Sequence, residues 1–359
     1  MEFDKVIFLE NKKIRSCRSK NYKYDYNKEN GNFRRWGKSL EDDPLFSPVG
    51  PEILDMEIST VCEGIGSGPC KWCYKSNTPV GKNMSFDKFK TIFHKFPRTL
   101  TQIAFGIGDI DGNPDLWKIM EYCRNNDYNY VVPNITINGY NLTDEYADKL
   151  ASVCGAVAVS MYQPKDVCYD AVKKLTDRGM SQINIHKLVA HETYEECFEV
   201  LRDSKEDPRL AKLNAIVFLS LKPKGKRNTF SKLGTAKYKS LVDYALDNNV
   251  NVGFDSCSAP MFLKAAKDRE NFKVLEQKSE PCESYLFSCY VNVDGKTTPC
   301  SFLEDSNYQE IDVGECDNFL KDVWNAKPIQ DFRKKLLATT DKCNINGNGC
   351  RQCPEYDIY

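Results

Sequence analysis

The chain has 359 residues, of which 41% are hydrophobic and 28% charged, and its formal net charge at pH 7 is −1. A nearly neutral chain has no overall electrostatic attraction to nucleic acid or to an anionic membrane. No apolar run is long enough to cross a bilayer, and the N-terminus lacks the apolar core of a signal peptide, so the sequence predicts a cytoplasmic protein.

The cysteine content is the most unusual feature of the composition, with 16 cysteines and only three histidines. Reducing pools keep cytoplasmic thiols free, so disulfides explain such a number poorly. Three cysteines fall within residues 62–73 and seven within 282–353. Clustered thiolates favour zinc or iron–sulfur clusters over histidine-based metal sites. Four others lie in helix- or strand-like runs and are expected to be buried as small hydrophobes: Cys123, Cys154, Cys168 and Cys197.

Residues 1–50 are polar, weakly patterned and rich in Tyr, Asn and Lys. They predict an accessory segment that either covers the rest of the fold or is partly mobile. The first 35 residues contain ten Lys/Arg against five Asp/Glu. This local bias is the only support for a nucleic-acid partner, and a solvated surface is its usual explanation, so no nucleic-acid partner is expected.

Residues 51–255 alternate between strand-like and helix-like patterns. Short, β-branched, apolar runs of this kind are typical of parallel strands covered on both faces. Six strands are predicted, at 53–59, 102–106, 130–137, 156–161, 182–189 and 215–221.

Two helix starts can be read from the sequence between these strands. Ser85 is predicted to cap a helix whose phenylalanines recur at helical spacing, and Thr193 with Glu196 has the spacing of a capping box. Six strand–helix units imply right-handed crossovers but are too few for a closed eight-stranded barrel. We therefore predict an α/β fold with a partial (β/α)6 TIM-like barrel, whose chemistry lies at the C-terminal ends of the strands.

Residues 256–359 show a different pattern, in which turns, short strands and cysteines replace the alternation. The segment SYLFSCYVNVDGKTTPCSF predicts a hairpin that turns at Asp294-Gly295, followed by a helical stretch over 316–335. Because this region has few apolar residues for a core of its own, we expect a small Cys-rich C-terminal domain held together partly by metal.

The first cysteine group lies on a glycine-rich loop directly after the first predicted strand. Its thiols are Cys62, Cys70 and Cys73, and Trp72 offers a flat face for a nucleobase beside them. Three thiolates are one short of the usual four-thiolate cluster, so one iron would stay open to a ligand. A zinc loop that borrows a fourth ligand elsewhere is the alternative.

The second predicted strand ends in FGIGDIDGNP, which places Gly106, Gly108 and Asp109 at the same end of the sheet. Glycines allow a ligand to approach the backbone closely, and a carboxylate can bind an ammonium group. With this motif after the three-cysteine loop, residues 50–250 resemble the radical S-adenosylmethionine superfamily.

The resemblance implies a 4Fe–4S cluster on Cys62, Cys70 and Cys73. It also implies S-adenosylmethionine as a second cofactor. The cofactor-binding positions that it implies are Trp72, Gly106, Gly108, Asp109, Asn138 and Ser160. Two features depart from the superfamily pattern: seven residues separate Cys62 from Cys70 where three are usual, and Asp109 stands where Glu is usual.

The same resemblance implies the reaction. The cluster would pass an electron to S-adenosylmethionine, and the resulting 5′-deoxyadenosyl radical would abstract hydrogen from a substrate. Such an enzyme needs an external electron donor, such as a flavodoxin or a ferredoxin. No membrane partner is expected.

The C-terminal cysteines have a spacing of their own. Cys282-x12-Gly295-x4-Cys300 followed by Cys350-x2-Cys353 resembles the auxiliary-cluster module of SPASM/Twitch radical enzymes. It implies one auxiliary iron–sulfur cluster, of the 4Fe–4S type, on those four cysteines. Two further cysteines could each replace one of them, and a structural zinc site fits the same thiolates. The two are Cys289 and Cys343.

Two features next to the barrel remain open between a functional and a structural role. Cys257, in GFDSCSAP, is a candidate catalytic residue that could return a hydrogen atom to a substrate radical, or it could be a buried structural thiol. The basic run 222–227 follows the sixth strand and could hold a carboxylate, or it could be a solvated loop.

Enzymes with this kind of C-terminal module mostly modify peptides or protein side chains. The predicted function is therefore crosslinking, epimerisation or dehydrogenation of a peptide or protein. The alternative among enzymes is dehydrogenation of a small polar molecule. The alternative from another class is a non-catalytic iron–sulfur or zinc-binding protein.

Overall fold

The N-terminal segment forms a four-stranded antiparallel sheet, in a computed structural model that describes residues 5–66, 68–304, 306–340 and 350–356. Its strands are β1 (Ile7–Glu10), β2 (Ile14–Arg18), β3 (Lys23–Asn27) and β4 (Phe33–Trp36). The Arg15 guanidinium donates to the Leu100 carbonyl at 3.1 Å, and the Tyr24 hydroxyl donates to the Thr99 carbonyl at 3.0 Å. Both carbonyls precede a barrel strand, so the accessory segment covers the N-terminal end of the barrel.

The barrel follows, with every predicted strand confirmed. Its parallel strands are β5 (Ile53–Glu57), β6 (Gln102–Gly106), β7 (Val132–Ile137), β8 (Val157–Ser160), β9 (Ile183–Val189), β10 (Ala215–Ser220) and a short β11 (Val252–Phe254) that the sequence pattern did not indicate. The helices between and after them are α1 (Phe86–Phe93), α2 (Leu116–Arg124), α3 (Asp144–Val153), α4 (Asp166–Thr176), α5 (Tyr194–Glu206), α6 (Thr235–Asp247), α7 (Ala259–Ala266) and α8 (Phe272–Gln277).

Alternate strand residues explain where the core and the interior lie. Leu54 and Met56 of β5 and Ile103 of β6 are buried in the hydrophobic core with the helices. Because side chains along a strand alternate between its two faces, the residues between them face the barrel interior. Asp55 of β5 and Asn134 of β7 are among these, so the interior is partly polar.

The helix starts show one prediction confirmed and one wrong. Ser85 caps α1, because its hydroxyl accepts from the Lys88 amide at 3.3 Å. Thr193 precedes α5 but forms no capping box: its hydroxyl donates to the Leu188 carbonyl at 2.8 Å. Glu196 pairs instead with the buried Lys187 of β9. A buried ammonium is costly without a counter-charge, which accounts for the change of partner.

The C-terminal region continues the barrel sheet. β12 (Ser288–Val291) pairs in parallel with β5, and β13 (Lys296–Thr298) and β14 (Ile311–Asp312) extend the sheet from it. The hairpin turns at Asp294-Gly295 as predicted, with Gly295 at φ +82°. The predicted single helix over 316–335 is two elements, the π-helix Phe319–Trp324 and α9 (Lys327–Leu337).

Candidate metal and cofactor site

The first cysteine loop links β5 to α1 at the C-terminal end of the barrel strands. Cys62, Cys70 and Cys73 are all partly buried, and the Cys73 amide donates to the Cys70 carbonyl at 3.3 Å. Burial raises the pKa of the Cys62 thiol to about 12, because a thiolate is poorly solvated there. A bound metal would provide the counter-charge that favours the thiolate.

The GIGD motif is fastened to this loop through Asp109, which is buried. Its carboxylate accepts from the Glu63 amide at 2.6 Å and from Asn138 Nδ2 at 2.9 Å, and the Cys62 thiol lies 3.5 Å from the same group. The Asp109 amide donates to the Val61 carbonyl at 3.0 Å. Asp109 therefore positions the Cys62 segment. That it binds an ammonium group stays a prediction.

Two glycines make the close packing of the loop possible. A Cβ on Gly108 would lie 2.0 Å from the Val61 oxygen and 2.5 Å from the Cys62 Cβ, and a Cβ on Gly225 would lie 2.3 Å from the Cys73 oxygen. Such separations are shorter than any van der Waals contact, so only glycine fits. Gly106 is different, because its Cβ would meet Glu57 Cα at an ordinary 3.6 Å.

Trp72 is enclosed by aromatic side chains. Its ring stacks on Phe230 at 5.0 Å and contacts Tyr162 at 5.3 Å. Its Nε1 is buried close to the Tyr162 hydroxyl. Ser160, another predicted cofactor residue, ends β8 in register with His186 and is half-buried.

The basic run 222–227 is partly packed on the protein, and its two interpretations, a carboxylate site or a solvated loop, stay predictions. The Lys222 ammonium is buried in an ion pair with Asp255. Arg227 Nη2 donates to the Asn77 carbonyl at 2.7 Å, which holds the far end of the cysteine loop. Sequence reasoning missed this role, because the partners lie about 150 residues apart along the chain.

The second cysteine group is assembled from distant segments. The thiols of Cys282, Cys300 and Cys353 lie within electrostatic range of one another. The Tyr356 amide donates to the Cys353 Sγ at 3.3 Å, and Arg351 Nε donates to the Cys282 carbonyl at 2.9 Å.

The other cysteines proposed for this group have different environments. Cys350 is buried and 5% exposed. Cys289 lies on β12 next to Leu54 of β5, and Cys343 falls outside the described residues. That Cys282, Cys300, Cys350 and Cys353 are metal ligands stays a prediction.

Cys257 lies close to this second group. It is in the single-turn helix Ser256–Ser258 that follows β11, within electrostatic range of Lys222, Cys282 and Cys300. The Lys222 ammonium in turn lies 4.9 Å from the ring centre of Phe302. Both proposed roles of Cys257, hydrogen-atom donor and structural thiol, stay predictions.

Direct contacts, which sequence reasoning missed, join the two cysteine groups. The Tyr74 ring lies 4.3 Å from Phe302, and its hydroxyl bonds Ser301 Oγ at 3.2 Å. Lys75 pairs with Glu57 at 3.0 Å and also with Glu304. Within the described ranges, no three His, Cys, Asp or Glu side chains are already arranged to hold one metal ion.

The comparison with protein families concerns the C-terminal region. Residues 282–354 match the family described as SPASM, an iron–sulfur cluster-binding domain. No curated protein matches the chain. In the part of the chain that the structure describes, no helix has the length and apolar character needed to span a membrane.

Solved structures share the overall fold. Streptococcus suis SuiB bound to its precursor peptide SuiA is 13% identical, with a TM-score of 0.65 over 90% of each chain. SuiB bound to S-adenosylmethionine is 13% identical, with a TM-score of 0.62 over 83% of this chain and 71% of SuiB. The enzyme anSMEcpe with bound AdoMet and the Cp18Cys peptide is 17% identical, with a TM-score of 0.59 over 84% and 90%.

These comparisons confirm the predicted fold class, since the α/β fold with a partial barrel is shared with SuiB and anSMEcpe. The family match over residues 282–354 agrees with the prediction of an iron–sulfur site in the C-terminal region.

Proposed function

We propose that this protein is a radical S-adenosylmethionine enzyme that modifies a peptide or protein side chain. The observation that carries the proposal is the three-thiol loop at the C-terminal end of the barrel, fastened to the GIGD motif by Asp109 and facing a SPASM domain. Three thiolates rather than four leave a coordination position for a reacting ligand.

The first cluster would be held by three cysteines and positioned by the neighbouring GIGD motif. Cys62, Cys70 and Cys73 would hold the first 4Fe–4S cluster. Asp109 and Gly108 keep the Cys62 segment in place beside it. When bound, the cluster and S-adenosylmethionine supply reductive cleavage and hydrogen abstraction, while the protein orients the substrate and excludes water.

The second cysteine group would hold one auxiliary cluster, on Cys282, Cys300, Cys350 and Cys353. This group lies next to Tyr74, the residue after Cys73. From there an auxiliary cluster could accept the electron that a substrate radical loses when it is oxidised. Cys257 lies beside this group, where a thiol could return a hydrogen atom. An external reductant would supply the first electron.

The peptide substrate class is supported by the structures with the same fold. SuiB was crystallised with its precursor peptide and anSMEcpe with a short peptide. Crosslinking, epimerisation and dehydrogenation all begin with hydrogen abstraction and are equally compatible with the site.

The test is the release of 5′-deoxyadenosine by anaerobically reconstituted protein given S-adenosylmethionine and dithionite. We expect release by the wild type and by Cys168→Ala, whose thiol is buried in α4. Cys73→Ala should lose release together with the iron and sulfide of one cluster. Absence of product from the wild type, together with unchanged iron in Cys73→Ala, would show that the protein binds metal without this catalysis.

A further inference from the structure

The chain contains one long run of positive charge without any acidic residue. Residues 208–242 include nine Lys/Arg and no Asp or Glu. Carboxylates elsewhere in the chain neutralise four of these cations, namely Arg209, Lys212, Lys222 and Lys239. Lys226 and Arg227 differ from them, because neither pairs with a carboxylate among the described residues.

The part of this run that follows β10 packs along the first cysteine loop. The Lys226 amide donates to Ser76 Oγ at 2.8 Å, and the Phe230 ring stacks on Trp72 at 5.0 Å. Between these two contacts, Arg227 bonds the far end of the loop as described above. The segment over 225–230 and the loop over 70–77 therefore form one continuous surface.

The cysteine loop adds a cation of its own to this surface. Lys71 stands between the two cysteines of the CxxC pair, its side chain is exposed, and no carboxylate in the described part of the chain pairs with it. Lys226 is also exposed, and Arg227 is half-buried. Glu63 is the only acidic residue over 62–86. We call Lys71, Lys226 and Arg227 the basic surface.

The other basic part of the chain, residues 1–35, is arranged differently. Its cations are mixed with carboxylates, and Arg15 and Lys28 both pair with Glu10. It also lies on the sheet that covers the N-terminal end of the barrel, whereas the cysteine loop lies at the C-terminal end of the strands. The basic surface is thus a separate positive region beside the three thiols.

We propose that the basic surface is the docking site of an acidic electron-carrier protein that reduces the first cluster. This deepens the proposed function and rests on it, because that function needs one electron from outside the chain. In the transfer the carrier loses one electron and the cluster gains one, and no bond is formed or broken. Electrons pass between proteins over short distances only, so the carrier has to dock beside the loop that holds the cluster.

Charge decides the class of partner. Opposite charges on two surfaces steer the encounter and fix its orientation, so exposed cations without partners fit an acidic protein. Three cations are a small footprint for nucleic acid, whose binding depends on many phosphate contacts. An acidic peptide is the remaining alternative, and the experiment separates it from a carrier.

The experiment measures how fast an acidic carrier reduces the first cluster of the anaerobically reconstituted full chain, without S-adenosylmethionine or peptide. Reduced flavodoxin and reduced ferredoxin are used in separate arms. The electron paramagnetic resonance signal that is missing from Cys73→Ala reports on the first cluster. Photoreduced deazaflavin, a small reductant that needs no docking surface, serves as the reference.

The variant Lys71→Glu/Lys226→Glu reverses both exposed charges of the basic surface. The matched control is Lys12→Glu/Lys20→Glu, which makes the same change of net charge at exposed residues in the turns of the N-terminal sheet. A milder variant, Lys71→Gln/Lys226→Gln, removes the charges without reversing them.

We expect charge reversal to lower the rate constant for reduction by the carrier about tenfold at low ionic strength. The neutralised variant should lose less, and the control should react like the wild type. Raising the salt from about 0.01 M to about 1 M should slow the wild type and bring all rates together, because the screening length falls from about 30 Å to about 3 Å. Deazaflavin should reduce every variant equally fast.

Four results would overturn the inference. They are a wild-type rate that salt does not lower with either carrier, charge-reversed and neutralised variants that react as fast as the wild type, an equal loss in the control, and a loss that deazaflavin shows as well. If carrier reduction is unchanged but retention of acidic peptides is lost, the surface serves the substrate instead.

Reduction of the cluster does not require cleavage of S-adenosylmethionine. Absence of 5′-deoxyadenosine from wild type reduced by deazaflavin would contradict the proposed function, whereas the results above contradict only the docking site. The two failures are therefore distinguishable.

Discussion

The two cysteine groups are built in different ways. The first is a local structure. Gly108 and Asp109, just after β6, hold the loop that follows the neighbouring strand β5. The second joins segments far apart in sequence, as when Arg351 bonds the Cys282 carbonyl across 69 positions. A site of the first kind is positioned by the barrel, whereas a site of the second kind depends on the tail docking on the sheet.

This difference also separates the effects expected of mutation. The first group has little freedom to adjust, because backbone atoms meet at Gly108. The second is held mainly by side-chain contacts, which a neighbouring group can replace in part. Variants of the first group should therefore affect catalysis most sharply.

Gly108→Ala is expected to have the largest effect. Its Cβ would lie 2.0 Å from the Val61 oxygen, so the Cys62 segment must move away from the GIGD motif. A displacement of about 1 Å at a reacting centre costs on the order of 100-fold in rate. We expect such a loss in 5′-deoxyadenosine release, with no change in the iron that the second cysteine group binds.

Gly106→Ala is the matched control, since its Cβ would meet Glu57 at an ordinary 3.6 Å. It should keep release within a few-fold of the wild type. Equal losses in the two variants would mean that the close approach at Gly108 is not what positions the loop.

Local features of the first cysteine group could be predicted from the sequence, whereas contacts between distant segments could not. The short spacing Cys70-x2-Cys73 and the apolar runs of the strands are local signals, and both the loop and the six strands were predicted correctly. The pairing of β12 with β5 and the ion pair of Lys75 with Glu304 depend on residues more than 200 positions apart. The periodicity of apolar residues along the sequence does not indicate contacts between residues so far apart. The capping box at Thr193 failed for a related reason, since a tertiary partner, Lys187, took Glu196.

The connection between the two groups is tested by Lys75→Met. Burial alone would raise the pKa of Glu304, but the hydrogen bond and charge of Lys75 outweigh it and hold that pKa below its usual value. Without the ammonium, Glu57 and Glu304 would face each other almost unsolvated. Breaking a buried ion pair by removing one partner costs roughly 3–5 kcal/mol, so thermal unfolding should occur at a clearly lower temperature.

Lys82→Met provides the comparison, because Lys82 pairs with Asp294 at the hairpin turn at 2.8 Å, on the exposed surface. Water screens such an exposed pair, so its loss should leave the unfolding temperature nearly unchanged. If both variants unfold at the same temperature, the Lys75 network does not stabilise the contact between the groups.

The smallest effect concerns Asp55 of β5, which is in register with Ala104 and Tyr290. Its folded pKa of about 6 lies above the unfolded value, so its contribution to stability is full below the unfolded pKa and is lost as the pH rises through about 6. Asp55→Asn should therefore be more stable than the wild type at pH 7.5, and the difference should shrink towards pH 4.5. Solvent screening of this partly exposed group limits the gain to about 1 kcal/mol, seen by calorimetry as a rise in Tm of roughly 2 °C. A variant less stable than the wild type at both pH values would mean that Asp55 has a stabilising partner.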